Sequence, residues 1–292
     1  MEYVLHILTM VCIYAGLAMS LNLTVGFAGQ PNVGHAAFFC VGAYTSAILT
    51  VGCGASPPLG MACAVLLGSV TGALASAPAL RLKGDYLALA TFGTGVIIHA
   101  LAKNWVAMTR GPMGIPGIPS VSFGNVTLSY PSAFCAVAVA YAAVTYTLCH
   151  LVVSSPFGLA LRAIREDETV AKSTGISSSA HKILVFALSG ALAGLAGALF
   201  AHHITFIDPS TFTPMDSLVL LLITVFGGMG SLAGSCLAAL VLIGFPEILR
   251  YLGLPVIVVG PLRQMAYGLL LVMLMLWRPQ GLLGKYRWSW CT

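Results

Sequence analysis

The chain has 292 residues, of which 59% are hydrophobic and 7% charged, with a formal net charge of +5 and a mean hydropathy of +0.97. Soluble globular domains carry roughly 25% charged residues, so this composition excludes one, along with a disordered segment or a collagen. Its 13 Lys and Arg are too dispersed for a nucleic-acid-binding stripe, and what remains is a polytopic membrane protein.

No charged residue occurs in 3–80, 111–161 or 217–246, and a transmembrane helix needs about 20 apolar residues. In chain order, apolar runs fall at 3–21, 35–52, 59–79, 86–102, 132–153, 183–201, 231–249 and 260–277. A ninth, at 216–227, is short for a full crossing and reads as a re-entrant half-helix or a tilted continuation of its neighbour. The runs are continuously apolar rather than alternating, which predicts helices and not a β-barrel. The expectation is one all-α transmembrane domain over 1–292, with about 8–10 helices, some of them broken or re-entrant. Glu2 stands where a signal peptide carries positive charge, so the first run reads as a retained span.

Asn22, Gly26, Gly29, Gln30, Pro31, Asn32, Gly34 and His35 interrupt an apolar stretch at membrane depth. Non-helical backbone survives there only when buried in protein or lining a cavity, and transporters use such breaks to meet polar ligands. Two readings stand open. Either Asn22, Gln30, Asn32 and His35 border a substrate pathway, or 22–35 is a turn at the cytoplasmic interface.

Two loops are long. The first, 103–131, carries Gly111-Pro112-Met113-Gly114-Ile115-Pro116-Gly117-Ile118-Pro119, too rich in turn-formers for a helix. The second, 154–182, is the one strongly polar segment. Ser155 is placed to cap a short helix with Pro156 at its first position. Phe157, Leu161 and Ile164 then share one face, with Arg162 and Arg165 on another. Asp167 starts a second helix ending near Ser173 or Thr174, which Gly175 stops in the left-handed conformation. Such a pair reads as a docking surface or as a loop lying on lipid headgroups.

Further on, Gly190, Gly194 and Gly197 with Ala193 have the small-residue spacing of close helix contact. His202 and His203, ahead of Asp208, project about 100° apart on a helix; with Phe200 and Phe206 they read as an interfacial belt rather than a metal site. Trp277, Trp288 and Trp290 read as anchors near the inner leaflet. Cys12, Cys40, Cys63, Cys135, Cys149 and Cys236 sit in apolar runs as small hydrophobes. Gly227, Gly228, Gly230 and Gly234 form a partial counterpart of 26–34, the pattern of an internal repeat.

Orientation follows from Lys and Arg. With 154–182 cytoplasmic, Arg81, Lys83, Arg162, Arg165, Lys172, Lys182, Arg278, Lys285 and Arg287 fall inside, and Lys103, Arg110, Arg250 and Arg263 outside. That nine-to-four split obeys the positive-inside rule and puts the C-terminal tail inside and 103–131 outside.

Ser155-Pro156-Phe157-Gly158, then Arg162-Ala163-Ile164-Arg165-Glu166-Asp167-Glu168, then Gly175-Ile176, resemble the cytoplasmic coupling loop of branched-chain amino-acid ABC importer permeases. Leu21-Asn22-Leu23-Thr24-Val25-Gly26-Phe27-Ala28-Gly29-Gln30 followed by Val33-Gly34-His35-Ala36-Ala37-Phe38 resembles the family's first broken-helix motif. Leu80-Arg81-Leu82-Lys83-Gly84-Asp85, Gly111-Pro112-Met113-Gly114-Ile115, Phe226-Gly227-Gly228-Met229-Gly230-Ser231 and Arg278-Pro279-Gln280-Gly281-Leu282 match further blocks, so the resemblance runs through nearly the whole chain. It is strongest to the LivM-like branch. Pro31 and Asn32 depart from the pattern, standing where most members carry Leu and Ser.

The resemblance implies a non-catalytic subunit of an importer for branched-chain or related amino acids, in a bacterial or archaeal inner membrane. Implied partners are a homologous permease, two ATP-binding cassette subunits and an extracytoplasmic solute-binding protein, besides membrane lipid. ATP and Mg belong to the ATPase subunits, and this chain is expected to hold no cofactor or metal. Phe157, Arg162, Arg165, Glu166, Asp167, Glu168 and Gly175 are the residues implied in ATPase coupling. In agreement, the one Gly-Lys pair, Gly284-Lys285, is followed by Tyr286 and makes no phosphate loop. Urea, short amides and aromatic amino acids stay open as alternative substrates. The rival class, an ion-coupled secondary transporter, commonly places ionisable residues within its spans, and these spans are almost free of them.

Overall fold

In lipid a backbone must satisfy its own amides, so long apolar runs become helices; the computed structural model, which describes residues 2–123, 126–127, 130–251, 256–277 and 280–284, is built almost wholly of them. Helix α1 (Glu2–Asn22) continues into a π-helical turn over Leu23–Phe27, and α2 (His35–Ala47) into another over Ile48–Gly52. Then come α3 (Pro57–Ala75), α4 (Gly84–Asn104), the single turn α5 (Val106–Thr109) and α6 (Pro131–Ser154). Two short helices, α7 (Pro156–Glu166) and α8 (Glu168–Ser173), lead to α9 (Ser178–Ile204), α10 (Pro214–Gly227), α11 (Leu232–Tyr251) and α12 (Val256–Trp277). The strands are two residues each: β1 (Ile115–Pro116), β2 (Ser122–Phe123), β3 (Val126–Thr127) and β4 (Phe206–Ile207), with β1 antiparallel to β4 and β2 to β3.

Among the described residues, seven segments are long and apolar enough to cross a membrane, and Pro209–Gly227 is one of them. The short ninth run is thus the end of a longer helical segment, 19 residues over Pro209–Gly227. Its start is hidden from hydropathy by polar capping: the Thr213 amide donates to Asp216 Oδ2 at 2.8 Å, the Thr213 hydroxyl does the same at 2.7 Å, and Pro214 opens the helix.

Contacts sort the loops into two ends. At one, Lys83 pairs with Glu168 (3.3 Å), Lys182 Nζ donates to Ala79 O (2.9 Å) and the Leu282 amide donates to Phe226 O (2.8 Å). At the other, His202 Nδ1 lies 2.6 Å from Pro119 O, the Ile118 amide donates to Thr205 O and His203 meets His6. The start of α1 thus lies opposite α7 and α8. Of the described basic side chains, Arg81, Lys83, Arg162, Arg165, Lys172 and Lys182 gather at the α7–α8 end, and Lys103 and Arg110 at the other. The side chains of Arg250, Arg263 and Trp277, together with Arg278, Lys285, Arg287, Trp288 and Trp290, lie outside the described residues.

Helix α9 is the central strut, and its small residues explain why. A Cβ at Gly190 would strike the Gly68 carbonyl, one at Gly194 the Ala64 carbonyl, and one at Gly197 the Phe39 carbonyl. Without side chains there, α2 and α3 approach α9 backbone to backbone, as the spacing predicts. His202 and His203 part company as adjacent helix residues must: the first is buried against Ser46 Oγ (2.8 Å), while the second packs on Phe134 and His6.

Candidate functional site

After the π-turn, residues 28–34 run without helix into α2, turning at Gly29 with φ +65°. Protein covers most of the break, with Gly29 exposed and Pro31 and Val33 half-buried. Asn22, Gln30, Asn32 and His35 are all buried, and two of them, Asn22 and His35, join elements. Asn22 Nδ2 donates to Ser231 O (3.0 Å) and Ser235 Oγ (2.8 Å), and its Oδ1 accepts from the Gly230 amide (2.9 Å). The two glycine-rich segments, 26–34 and 227–234, therefore meet side by side. Asn32 Oδ1 accepts from the Gly34 amide (3.1 Å), and His35 Nε2 lies 2.8 Å from Ser20 Oγ. The amides at the start of α2 need outside acceptors. Thr91 Oγ1 of α4 takes that of Val33, and Ser217 Oγ of α10 takes that of Ala36. Gln30 differs. The hydrogen bond of its side chain, from Nε2 to Ala28 O, is long at 3.4 Å, and the residue lines a cavity.

Helices α7 and α8 form the expected hairpin. Pro156 opens α7, but the Ser155 hydroxyl does not cap it; Oγ donates instead to Val152 O at 2.7 Å. The reason is Pro156 itself, which has no N–H to give that carbonyl four residues back. Leu161 and Ile164 are buried and Phe157 stacks on His181 at 5.1 Å, so the predicted apolar face exists. Arg162 is exposed, its guanidinium 5.7 Å from the Phe27 ring centroid. Arg165, expected beside it on the polar face, instead turns inward. Nη1 donates to Gly26 O at 2.5 Å, Nη2 pairs with Glu166 at 3.1 Å, and the stem covers Gly29. Arg165 follows Leu161 by four residues, so it shares the inward face.

Asp167 Oδ1 accepts from the amides of Val170 (3.1 Å) and Thr169 (2.7 Å), which caps α8 and holds the carboxyl below its ordinary range. Gly175, at φ +88°, ends the helix as predicted. Glu168, one of the residues the resemblance implies in ATPase coupling, points back into the protein. It accepts from Ser178 Oγ (2.7 Å) and pairs with Lys172 (3.0 Å), Lys182 (3.1 Å) and Lys83 (3.3 Å). Burial pushes its carboxyl up, but hydrogen bonds from Ser178, Lys172 and Lys182 outweigh that and hold it at about 2. Lys182, only 2% exposed, was not among the predicted site residues; its sequence signal is a lone cation in the first turns of an apolar helix.

The large apolar side chains left exposed on the hairpin are Leu159 and Val170, in a surface that also carries the exposed Arg162, Glu166, Asp167 and Lys172. Between hairpin and broken segment lies a cavity of about 300 Å³ lined by Gly29, Gln30, Lys83, Gly84 and residues 164–168. The hairpin thus has exposed apolar side chains on its surface and, across the cavity, the unwound segment.

A sequence profile of the family described as "Branched-chain amino acid transport system / permease component" matches residues 3–277. The chain is 34% identical over 304 aligned residues to the high-affinity branched-chain amino acid transport system permease protein LivM of Salmonella typhimurium, and 33% identical to that of Escherichia coli; each alignment covers 96% of this chain and 70% of the relative. The probable branched-chain amino acid transport permease protein LivM of Methanocaldococcus jannaschii is 25% identical, with 96% and 94% covered. No solved structure matches significantly. With its multi-pass helical fold, the coincidence of hairpin and broken helix with the motif blocks, and a profile match over nearly its full length, the chain belongs to the permease components of branched-chain amino acid ABC transport systems.

Proposed function

We propose that this chain is one of two homologous permease subunits of an inner-membrane importer that carries branched-chain amino acids inward. Separate ATPase subunits dock on α7–α8, and a soluble binding protein delivers substrate at the opposite end. The observation that carries this reading is the outward face of the hairpin. Leu159 and Val170 are 62% and 59% exposed at the end where the described Lys and Arg gather, the cytoplasmic end by the positive-inside rule. The hairpin's other apolar face is already spent on the protein through Leu161 and Ile164, so the outer pair awaits a partner. This chain makes and breaks no bonds. It supplies a passage with two arrangements of similar free energy, and ATP binding and hydrolysis in the partners bias them.

Reconstitution with the partner permease, ATPases and binding protein in liposomes tests this. Uptake of labelled leucine, isoleucine or valine should require ATP on the α7–α8 side and no ion gradient, and excess urea or short amides should not compete. Uptake driven by a proton or sodium gradient without ATP would give the chain to the secondary transporters instead.

A further inference from the structure

We infer that Arg165 is a positioning residue of the transport cycle, which passes movement of the α7–α8 hairpin to the unwound segment 28–34 through its hydrogen bond to the Gly26 carbonyl. The inference rests on the reading of α7–α8 as the ATPase contact and adds the route the movement takes.

The bond joins elements 139 residues apart in the chain and is short, 2.5 Å from Nη1 to oxygen. Its acceptor lies in the π-turn Leu23–Phe27, where the helical ladder shifts: Ala28 donates back to Leu23 and Gln30 to Thr24. Such turns widen a helix and free carbonyls for outside donors. A guanidinium is a strong donor to a carbonyl, and its rigid fork transmits direction as well as attraction. The side chain is held in place, being 16% exposed, and its stem fills the space over Gly29. Any Cβ at Gly29 would strike Arg165 Cγ, so this glycine supplies both the left-handed turn and the room for the arginine.

The π-turn is gripped from a second side. Asn22 ties it to the Gly230 amide and the Ser231 carbonyl at the α10–α11 turn. A shift of α7 relative to α11 therefore pulls on one short piece of backbone between two fixed points. The strain is taken up next door, in 28–34, where helix is absent and Gln30 faces the cavity. Among the described residues the hairpin also meets the π-turn through the Arg162 guanidinium over the Phe27 ring, a contact to a ring face that slides more readily than a directed hydrogen bond.

The test uses the complete complex in liposomes and reads leucine imported per ATP hydrolysed. Arg165→Met keeps the stem over Gly29 and loses the donor; Arg165→Lys keeps a charge and one donor. We expect Arg165→Met to assemble and to hydrolyse ATP within about twofold of the parent, while import per ATP falls about tenfold, the scale of one charge-assisted hydrogen bond; Arg165→Lys recovers part of the loss. An unchanged ratio in Arg165→Met overturns the inference, and so does a proportional fall of hydrolysis and import together. Should Arg165→Met fail to assemble, Arg165→Gln, whose donor stops two bonds short, decides by the same ratio. A parental complex without substrate-stimulated hydrolysis would refute the ATPase reading and this inference with it. A coupled parent beside an indifferent Arg165→Met would refute the inference alone.

Discussion

Lys182 holds its ammonium 3.1 Å from the Glu168 carboxylate and 2.9 Å from the Ala79 carbonyl, fastening the start of α8 to the first turns of α9 and to the loop before α4. The two other cations on Glu168, Lys83 and Lys172, are 70% and 56% exposed, and solvent-screened pairs of that kind contribute little. The buried pair is what fixes the hairpin.

The two halves of that pair are unequal. Removing one partner of a buried ion pair costs about 3–5 kcal/mol when the other charge is left uncompensated. Glu168→Gln strands the Lys182 ammonium with little more than the Ala79 carbonyl. Lys182→Met leaves Glu168 still bonded to Ser178, Lys172 and Lys83. Purified Glu168→Gln should therefore lose more apparent melting temperature than Lys182→Met; equal losses would contradict the assignment of Lys182 as the buried charge.

The same carboxylate sets an acid limit. Its folded value of about 2 lies below the ordinary 4.5, so its contribution is fully present above 4.5 and is lost as pH falls toward 2. The bonds that hold Asp167 low act in the same direction. Hydrogen-exchange protection of the α8 amides, corrected for intrinsic rate, should hold from pH 7 to 5 and decline below about 4.5. Protection already lost at pH 6 would show that Glu168 does not carry the hairpin.

Polar residues in the break should separate into two kinds. Asn22 spends its whole amide on Gly230, Ser231 and Ser235, so Asn22→Leu takes the acceptor from the Gly230 amide, cuts the tie to Ser231 and Ser235, and should lower the amount of folded protein. The Gln30 side chain has a long bond to Ala28 O and lines the cavity, so Gln30→Leu should preserve expression while slowing uptake. Asn32→Leu removes the acceptor of the Gly34 amide and should do some of both. Parental uptake by Gln30→Leu at parental expression would make 22–35 only a turn.

Much of this arrangement is legible in the sequence. The apolar runs mark the crossings, because lipid leaves helices as the one solution for a continuously apolar segment. The Asp167 cap and the Gly175 stop are local chemistry, readable from a few residues. The pairing of Glu168 with Lys182 is not, since nothing local tells which of four charges in 166–172 turns inward. Arg165 reads as polar-face by its charge although it follows Leu161 by four residues; its partner, the Gly26 carbonyl, is exposed by a π-turn without sequence signature. The Ser155 hydroxyl looked like a cap until the missing N–H of Pro156 was counted against Val152.

The orientation predicts a simple asymmetry of labelling. Cys53 is exposed in the loop between α2 and α3, at the end opposite the hairpin. With Cys53 as the sole cysteine, an impermeant thiol reagent should label intact cells. With Ser173→Cys as the sole cysteine, labelling should need permeabilisation. The reverse pattern would invert the membrane orientation.

The central claim, that the outward face of α7–α8 is the ATPase contact, is tested most directly by cross-linking within the assembled transporter. Leu159 is exposed and Leu161 is wholly buried two residues away on the same helix. Leu159→Cys and Leu161→Cys are each placed in a background without other cysteines, and the complex is treated with a short cysteine-to-lysine cross-linker. The account predicts an adduct to the ATPase subunit from position 159 and none from position 161. Adducts of equal yield from both positions, or none from 159 while the ATPase remains bound, would contradict it.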